Sequence, residues 1–146
     1  MSTSANIASA NTTEQSRNDV TQATASLVGR LLLSAIFILS GFSKLAAPAM
    51  MIGYIGSVGL PLPQVALAVA IIVEIGGGLA LIAGYRTRTV AAILALFSVA
   101  TALAFHNALG DQNQFIHFFK NIAMAGGLLQ VVAFGAGRFS LDARRR

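Results

Sequence analysis

The sequence predicts an all-α membrane protein: a bundle of four transmembrane helices with a short interfacial helix between the first and second. Three observations carry this expectation. Of the 146 residues, 55% are hydrophobic and only 10% are charged, whereas a water-soluble domain has roughly 25% charged residues. Four apolar runs, near 27–46, 64–84, 89–109 and 115–136, each approach the length of about 20 residues that crosses a hydrocarbon core of about 30 Å. None of them alternates with period two, and backbone left unpaired in lipid is costly enough to exclude everything but helices and closed barrels.

Taken in order, residues 1–26, MSTSANIASANTTEQSRNDVTQATAS, are rich in Ser, Thr, Asn and Ala and have no apolar core behind the N-terminus. The segment is not a signal peptide, and its small apolar surface predicts a disordered cytoplasmic tail. Residues 27–142 form the membrane domain, and residues 143–146 a basic tail. Span 1 is followed by AAPAMMIGYIGSVGLPLP, which is too apolar for an ordinary loop. Pro48 suits the first position of a helix, and Gly59, Pro61 and Pro63 stop it, so a short helix near 48–57 either anchors in the outer interface or covers a cavity. GYRTR joins spans 2 and 3, and NALGDQNQ joins spans 3 and 4. After span 4, GAGRFSLD reads as a structural stop, with Arg138 within reach of Asp142 or of lipid headgroups.

Charge sets the orientation. Arg17, Arg30, Arg86, Arg88, Arg138, Arg144, Arg145 and Arg146 fall on one side, and only Lys44 and Lys120 lean to the other. An excess of Lys and Arg marks the cytoplasmic face, so both termini are expected there, in a multi-pass protein of the bacterial inner membrane. Despite a net charge of +5, these residues are not gathered on an aromatic-interleaved face, and no nucleic-acid partner is expected. The chain has no Cys, which excludes disulfides, thiol catalysis and thiolate metal ligands. No metal site is expected.

The chemistry lies in the polar residues of the slab. Arg30 and Lys44 are separated by a helix rise of only about 21 Å, so at least one of them starts inside the hydrocarbon. Glu74, midway along span 2, is too short to reach either interface. It stands about 18 Å above Arg86, close to the height of Lys44 above Arg30, and an intramembrane Lys44–Glu74 pair is the simplest way to keep its charge. A second polar layer lies about 27 Å above the basic residues, where His106, Asn107, His117, Lys120 and Asn121 gather. Along span 4, His117, Lys120, Asn121 and Met124 share one face, as do Phe37, Ser40, Gly41 and Lys44 in span 1. These faces predict one cavity open to the outer side, with Lys44, Glu74, His106, Asn107, His117, Lys120 and Asn121 as ligand-binding candidates and Glu74 and Lys44 as catalytic candidates. The runs at Gly76–Gly78 and Gly126–Gly127 read as close helix contacts.

Read in order, GRLLLSAIFILSGFSKL, GLPLP, VEIGGGLALIAGYRTR and FFKNIAMAGGLLQVVAFGAGRFSLD resemble the DoxX family of small four-helix bacterial membrane proteins. The likeness spans about residues 27–142. It implies a four-helix bundle related to the small DoxD subunit of thiosulfate:quinone oxidoreductase, and membership of a membrane redox complex. The polar positions it carries over are Arg30, Lys44, Glu74, Arg86, Arg88, Lys120 and Asn121, with Gly135, Gly137, Ser140 and Asp142 as the closing motif.

The expected function is a subunit or accessory of a quinone-linked membrane redox system, with quinone as the cofactor that the cavity's polar groups would serve. Its expected partners are the lipid bilayer and a protein of that redox complex, and the sequence leaves an oligomer of the chain open. The alternative is a non-enzymatic membrane scaffold or small-solute binding protein. No self-contained catalytic motif is present, whether haem motif, Cys cluster or nucleotide loop, and His106 with His117 is weak ground for a haem. The orientation is testable: a fluorescent-protein fusion after residue 146 should fluoresce and a phosphatase fusion at the same point should be inactive, and the opposite pair of results would reverse the topology.

Overall fold

A computed structural model describes residues 2–145, with side chains from residue 14 onward, and among the described residues every regular element is a helix. α1 (Ser2–Ala46), α2 (Pro48–Ser57), α3 (Pro63–Ala83), α4 (Thr87–Phe105) and α5 (Gln112–Phe134) are followed by a 3₁₀ turn, Ala143–Arg145. α1, α3, α4 and α5 each contain a stretch long and apolar enough to cross a membrane. α1 packs chiefly on α3, and α4 on α5. The core between them is built from Phe37, Leu81, Ala91, Leu94, Ala95, Ala125 and Leu128. Large apolar side chains such as Leu32, Leu39, Ile72, Leu96 and Phe134 point outward, the inverse of a water-soluble surface and the arrangement lipid favours.

The expected disordered tail is instead the beginning of α1. No Pro or Gly interrupts residues 2–28, and extending a helix already nucleated in the membrane avoids the unfavourable nucleation step. Thr21 and Thr24 donate their hydroxyls to Arg17 O and Val20 O, each at 2.9 Å, within the helix. Ala23 is buried, and both it and Ser26 lie against Gly137, so packing begins before residue 27. The ends of the later spans also shift. α4 stops at Phe105 rather than 109, and α5 starts at Gln112 because Asp111 caps it, accepting from Gln114 N at 2.9 Å. The short helix foreseen after Pro48 is present as α2.

Arg30, expected at the cytoplasmic edge as a topology signal, is fully buried. Its Nη1 donates to Leu81 O at 2.9 Å and Ile82 O at 3.2 Å, and its Nη2 to Phe139 O at 2.6 Å. Two of these carbonyls belong to the last turn of α3, where Leu81 O otherwise accepts only from Gly84 N at 3.2 Å. Burying the guanidinium therefore satisfies backbone that lipid cannot. Gly84 makes the close approach possible: it adopts φ +66°, and a Cβ there would collide with Ser140 and the Arg30 guanidinium.

The closing GRFSLD segment completes this end of the bundle. Leu141 N and Asp142 N donate to Ala83 O and Gly84 O at 3.1 and 2.9 Å. The Asp142 carboxylate accepts from Arg86 N and Thr87 N, each at 2.8 Å, and so caps α4 across a separation of more than fifty residues. Asp142 does not pair with Arg138, whose guanidinium lies 5.8 Å from the centroid of the Phe139 ring. Burial alone would push the Asp142 carboxyl up, but the Thr87 and Arg86 N–H groups and the Arg145 charge outweigh it and hold the group below its usual range.

Arg30→Ala removes the donor of Ile82 O and Phe139 O and leaves Leu81 O with Gly84 N alone, and should lower stability in detergent by about 3 kcal/mol or more, while Asp142→Ala should lower it by about 1 kcal/mol. Because the folded-state pKa of Asp142 is depressed, its contribution is complete above about pH 4 and is lost as pH falls through the lowered value. Thermal unfolding from pH 7 down to 3 should therefore show an acid-side loss that Asp142→Ala reduces.

Candidate functional site

At the end of the bundle opposite the Arg30 latch, the helices part around a cavity of about 480 Å³. Its walls are mainly apolar, with Ile36, Phe37, Val69, Phe97 and Met124 among them, and α2 supplies Met51, Tyr54 and Ile55. Tyr54 stacks on Phe105 with ring centroids 5.5 Å apart, which ties α2 to the end of α4.

The cavity's deepest charged groups are Lys44 and Glu74, found together as the helix-rise argument expects: Lys44 Nζ lies 2.8 Å from Glu74 Oε1. Ser40 Oγ accepts from Lys44 Nζ at 2.8 Å and donates to Glu74 Oε1 at 3.0 Å, so the three side chains form a closed triangle. Glu74 is only 4% exposed, and its Oε2 has no hydrogen-bond partner among the described residues. The sequence did not foreshadow how the backbone presents it: Glu74 sits at the centre of a π-helical turn, Ile72–Gly76, inside α3. Such a turn admits one extra residue and locally re-aims side chains, and it recurs at functional sites. α1 approaches this turn at Gly41, where a Cβ would stand 2.5 Å from Ile75 Cγ1. A glycine is needed at that crossing.

Nearer the mouth, His106 and His117 stack with ring centroids 5.1 Å apart and planes inclined by 24°. His106 Nδ1 lies 2.8 Å from Gln114 Oε1, and His117 Nδ1 lies 2.8 Å from Lys120 Nζ. The partners assign the tautomers. An amide oxygen only accepts, so His106 carries its proton on Nδ1; an ammonium only donates, so His117 Nδ1 is a lone pair and its Nε2 a donor. The rings lie face to face and do not oppose two nitrogens across a common point. Asn121 Nδ2 donates to His117 O at 3.1 Å. Among the described residues, no cluster of three or more His, Asp or Glu side chains could hold a metal ion.

Of the seven ligand-binding candidates, the structure brings Lys44, Glu74, His106, His117, Lys120 and Asn121 to this cavity. Asn107 is not among the lining residues: α4 ends at Phe105, the chain turns at His106 (φ −130°), and Asn107 is exposed. Sequence reasoning passed over Ser98, Thr101 and Gln114, and reached Tyr54 only as part of the short helix that either anchors or covers a cavity. Ser98 and Thr101 stand three residues apart in the otherwise apolar FSVATALAF, a usable signal, whereas nothing local distinguishes Gln114 from its polar neighbours. Gly77 and Gly78 approach Leu94 and Ile38 closely, as the close-contact reading expects, while a Cβ at Gly76 or Gly126 would meet nothing.

A four-span helical bundle with a buried ion pair at the base of an apolar cavity defines a class of small integral membrane proteins with an internal cavity. Within that class the chain belongs to the DoxX family, whose profile matches residues 25–107. It is 35% identical to the inner membrane protein YqjF of Escherichia coli K12 over 116 residues, 80% of this chain and 88% of the relative. It is 31% identical to the inner membrane protein YphA of the same organism over 123 residues, 81% of this chain and 88% of that relative. No solved structure matches the chain. With the four apolar helices, these relatives support a multi-pass protein of the bacterial inner membrane.

Removing one member of the pair strands the other in a low-dielectric site. Lys44→Met or Glu74→Met alone should destabilise the detergent-solubilised protein by about 3 kcal/mol or more, and the double substitution by much less than the sum. A thermal unfolding cycle over the four proteins checks this, and additive losses would show that the two groups act independently.

Proposed function

We propose that this chain is a quinone-binding subunit or accessory of a membrane redox system, with the cavity that closes on Lys44 and Glu74 as its ligand site. The observation that carries this reading is the cavity of about 480 Å³ that closes on a single buried ion pair with an unpartnered carboxylate oxygen. Mainly apolar walls with a few convergent polar groups are what an apolar ring bearing oxygens needs. The residues present fit such a ligand. Lys44 retains N–H capacity beyond its bonds to Ser40 and Glu74, and His117 Nε2 and Lys120 add donors at the mouth.

A bound quinone would supply two-electron, two-proton redox chemistry. The chain's own residues would hold the ring, exclude water from it and keep charged groups beside its oxygens. The chain has no haem motif, Cys cluster or nucleotide loop, so electrons would pass to or from a partner protein. The orientation proposed from the basic residues puts the cavity mouth on the outer side and α2 in the outer interface, where Met51, Tyr54 and Ile55 form a wall of the site. A bundle acting only as a scaffold would gain nothing from an internal space of this size, since unfilled volume loses packing contacts.

The test is an absorption spectrum of protein purified in mild detergent, with mass spectrometry of its organic extract, beside an unrelated four-span protein prepared identically. Quinone at near-stoichiometric enrichment without a Soret band is expected. Enrichment no greater than in the control would favour the scaffold.

A further inference from the structure

We infer that the Lys44–Glu74 site selects the reduced, hydroxyl-bearing form of its ring ligand over the oxidised, carbonyl form, with Glu74 Oε2 as the selecting atom. This deepens the quinone-binding reading and rests on it.

The hydrogen bonds around Glu74 are lopsided. Oε1 receives both available donors, Lys44 Nζ at 2.8 Å and Ser40 Oγ at 3.0 Å, whereas Oε2 receives none from the described residues. Glu74 is the carboxylate partner of the Lys44 ammonium at 2.8 Å, and a carboxylate in such a pair only accepts. Glu74 lines the cavity and is 96% buried on the complement of its 4% exposure. A buried anionic acceptor without a donor is unfavourable until something supplies one.

The two ligand forms differ in what they supply. A quinone carbonyl only accepts; it can accept a hydrogen bond from Lys44 but leaves Oε2 unsatisfied. A quinol hydroxyl donates its hydrogen to Oε2 while its oxygen still accepts from Lys44. The mouth does not reverse this preference, because the His117 Nε2–H and Lys120 donors serve a hydroxyl oxygen as well as a carbonyl. Discrimination by a buried polar group that one ligand satisfies and the other does not is much larger than discrimination by shape. Ser40 also has a directing role: by donating to Oε1 it leaves Oε2 as the free atom.

The test measures equilibrium binding of decylubiquinone and, under argon, of decylubiquinol to the detergent-solubilised full chain, with detergent micelles alone subtracted. The quinol should bind at least about tenfold more tightly. A tenfold preference raises the midpoint potential of the bound couple by about 30 mV over the couple in empty micelles, a redox titration that needs no variant. In Glu74→Gln the amide oxygen is expected to face Lys44 and Ser40 and the amide NH₂ to replace Oε2, turning acceptor into donor, so the preference should shift towards the quinone. If both forms bind wild type equally and the potential is unshifted, the selectivity is wrong and quinone binding stands. If neither form binds, the quinone reading itself fails and takes the selectivity with it. Should Glu74→Gln not fold, the wild-type affinity ratio and potential still decide the matter.

Discussion

Glu74 carries its charge into the middle of an apolar helix, and much of the cavity-bearing half of the molecule is arranged around making that tolerable. A carboxylate in hydrocarbon needs a cation and hydrogen bonds at once, and Lys44 and Ser40, one helical turn apart on α1, provide them. Meeting that demand sets how α1 lies against α3. Gly41 removes the side chain that would hold the helices apart, and the π turn of Ile72–Gly76 surrounds Glu74 at the point of contact. The pair is a constraint on register first, and its chemistry follows from where that register leaves it, at the base of a cavity.

The two ends of the bundle handle backbone polarity in opposite ways. At one end Arg30 and Asp142 bind exposed helix termini: the guanidinium takes carbonyls of α3 and of Phe139, and the carboxylate takes N–H groups of α4. These bonds join α1, α3, α4 and the C-terminal segment, although Arg30 Nε and Thr87 Oγ1 stay buried without a partner among the described residues. At the other end the polar groups line a space, and several retain capacity for hydrogen bonds. Rigidity at the first end allows the second to stay open, because helices held apart around a cavity lose packing contacts that must be recovered elsewhere.

Much of this was legible in the sequence where a single physical rule dominates. Lipid thickness sets span length, which located the four membrane helices, and helix rise put Lys44 and Glu74 at one depth without any knowledge of the fold. The rule failed where two explanations share one signature. Arg30 looked like a cytoplasmic topology residue because an Arg at a span boundary usually is one; its burial depends on carbonyls contributed by α3 and by Phe139, more than a hundred residues away. The polar N-terminal segment has the composition of a disordered tail, but it lacks a helix breaker and continues α1. Asn107 was grouped with His106 by proximity, whereas the end of α4 one residue before His106 parts them.

By itself, then, the sequence determined the solvent, the number of spans and the shared level of Lys44 and Glu74, because these depend on hydrophobicity and rise along one helix. Tertiary structure alone decided which helix faces meet, and with them the capping of α4 by Asp142, the facing of His106 on His117 and the single unpartnered oxygen of Glu74. Those outcomes turn on ångström-scale packing between segments far apart in the chain, and no local pattern of residues encodes it.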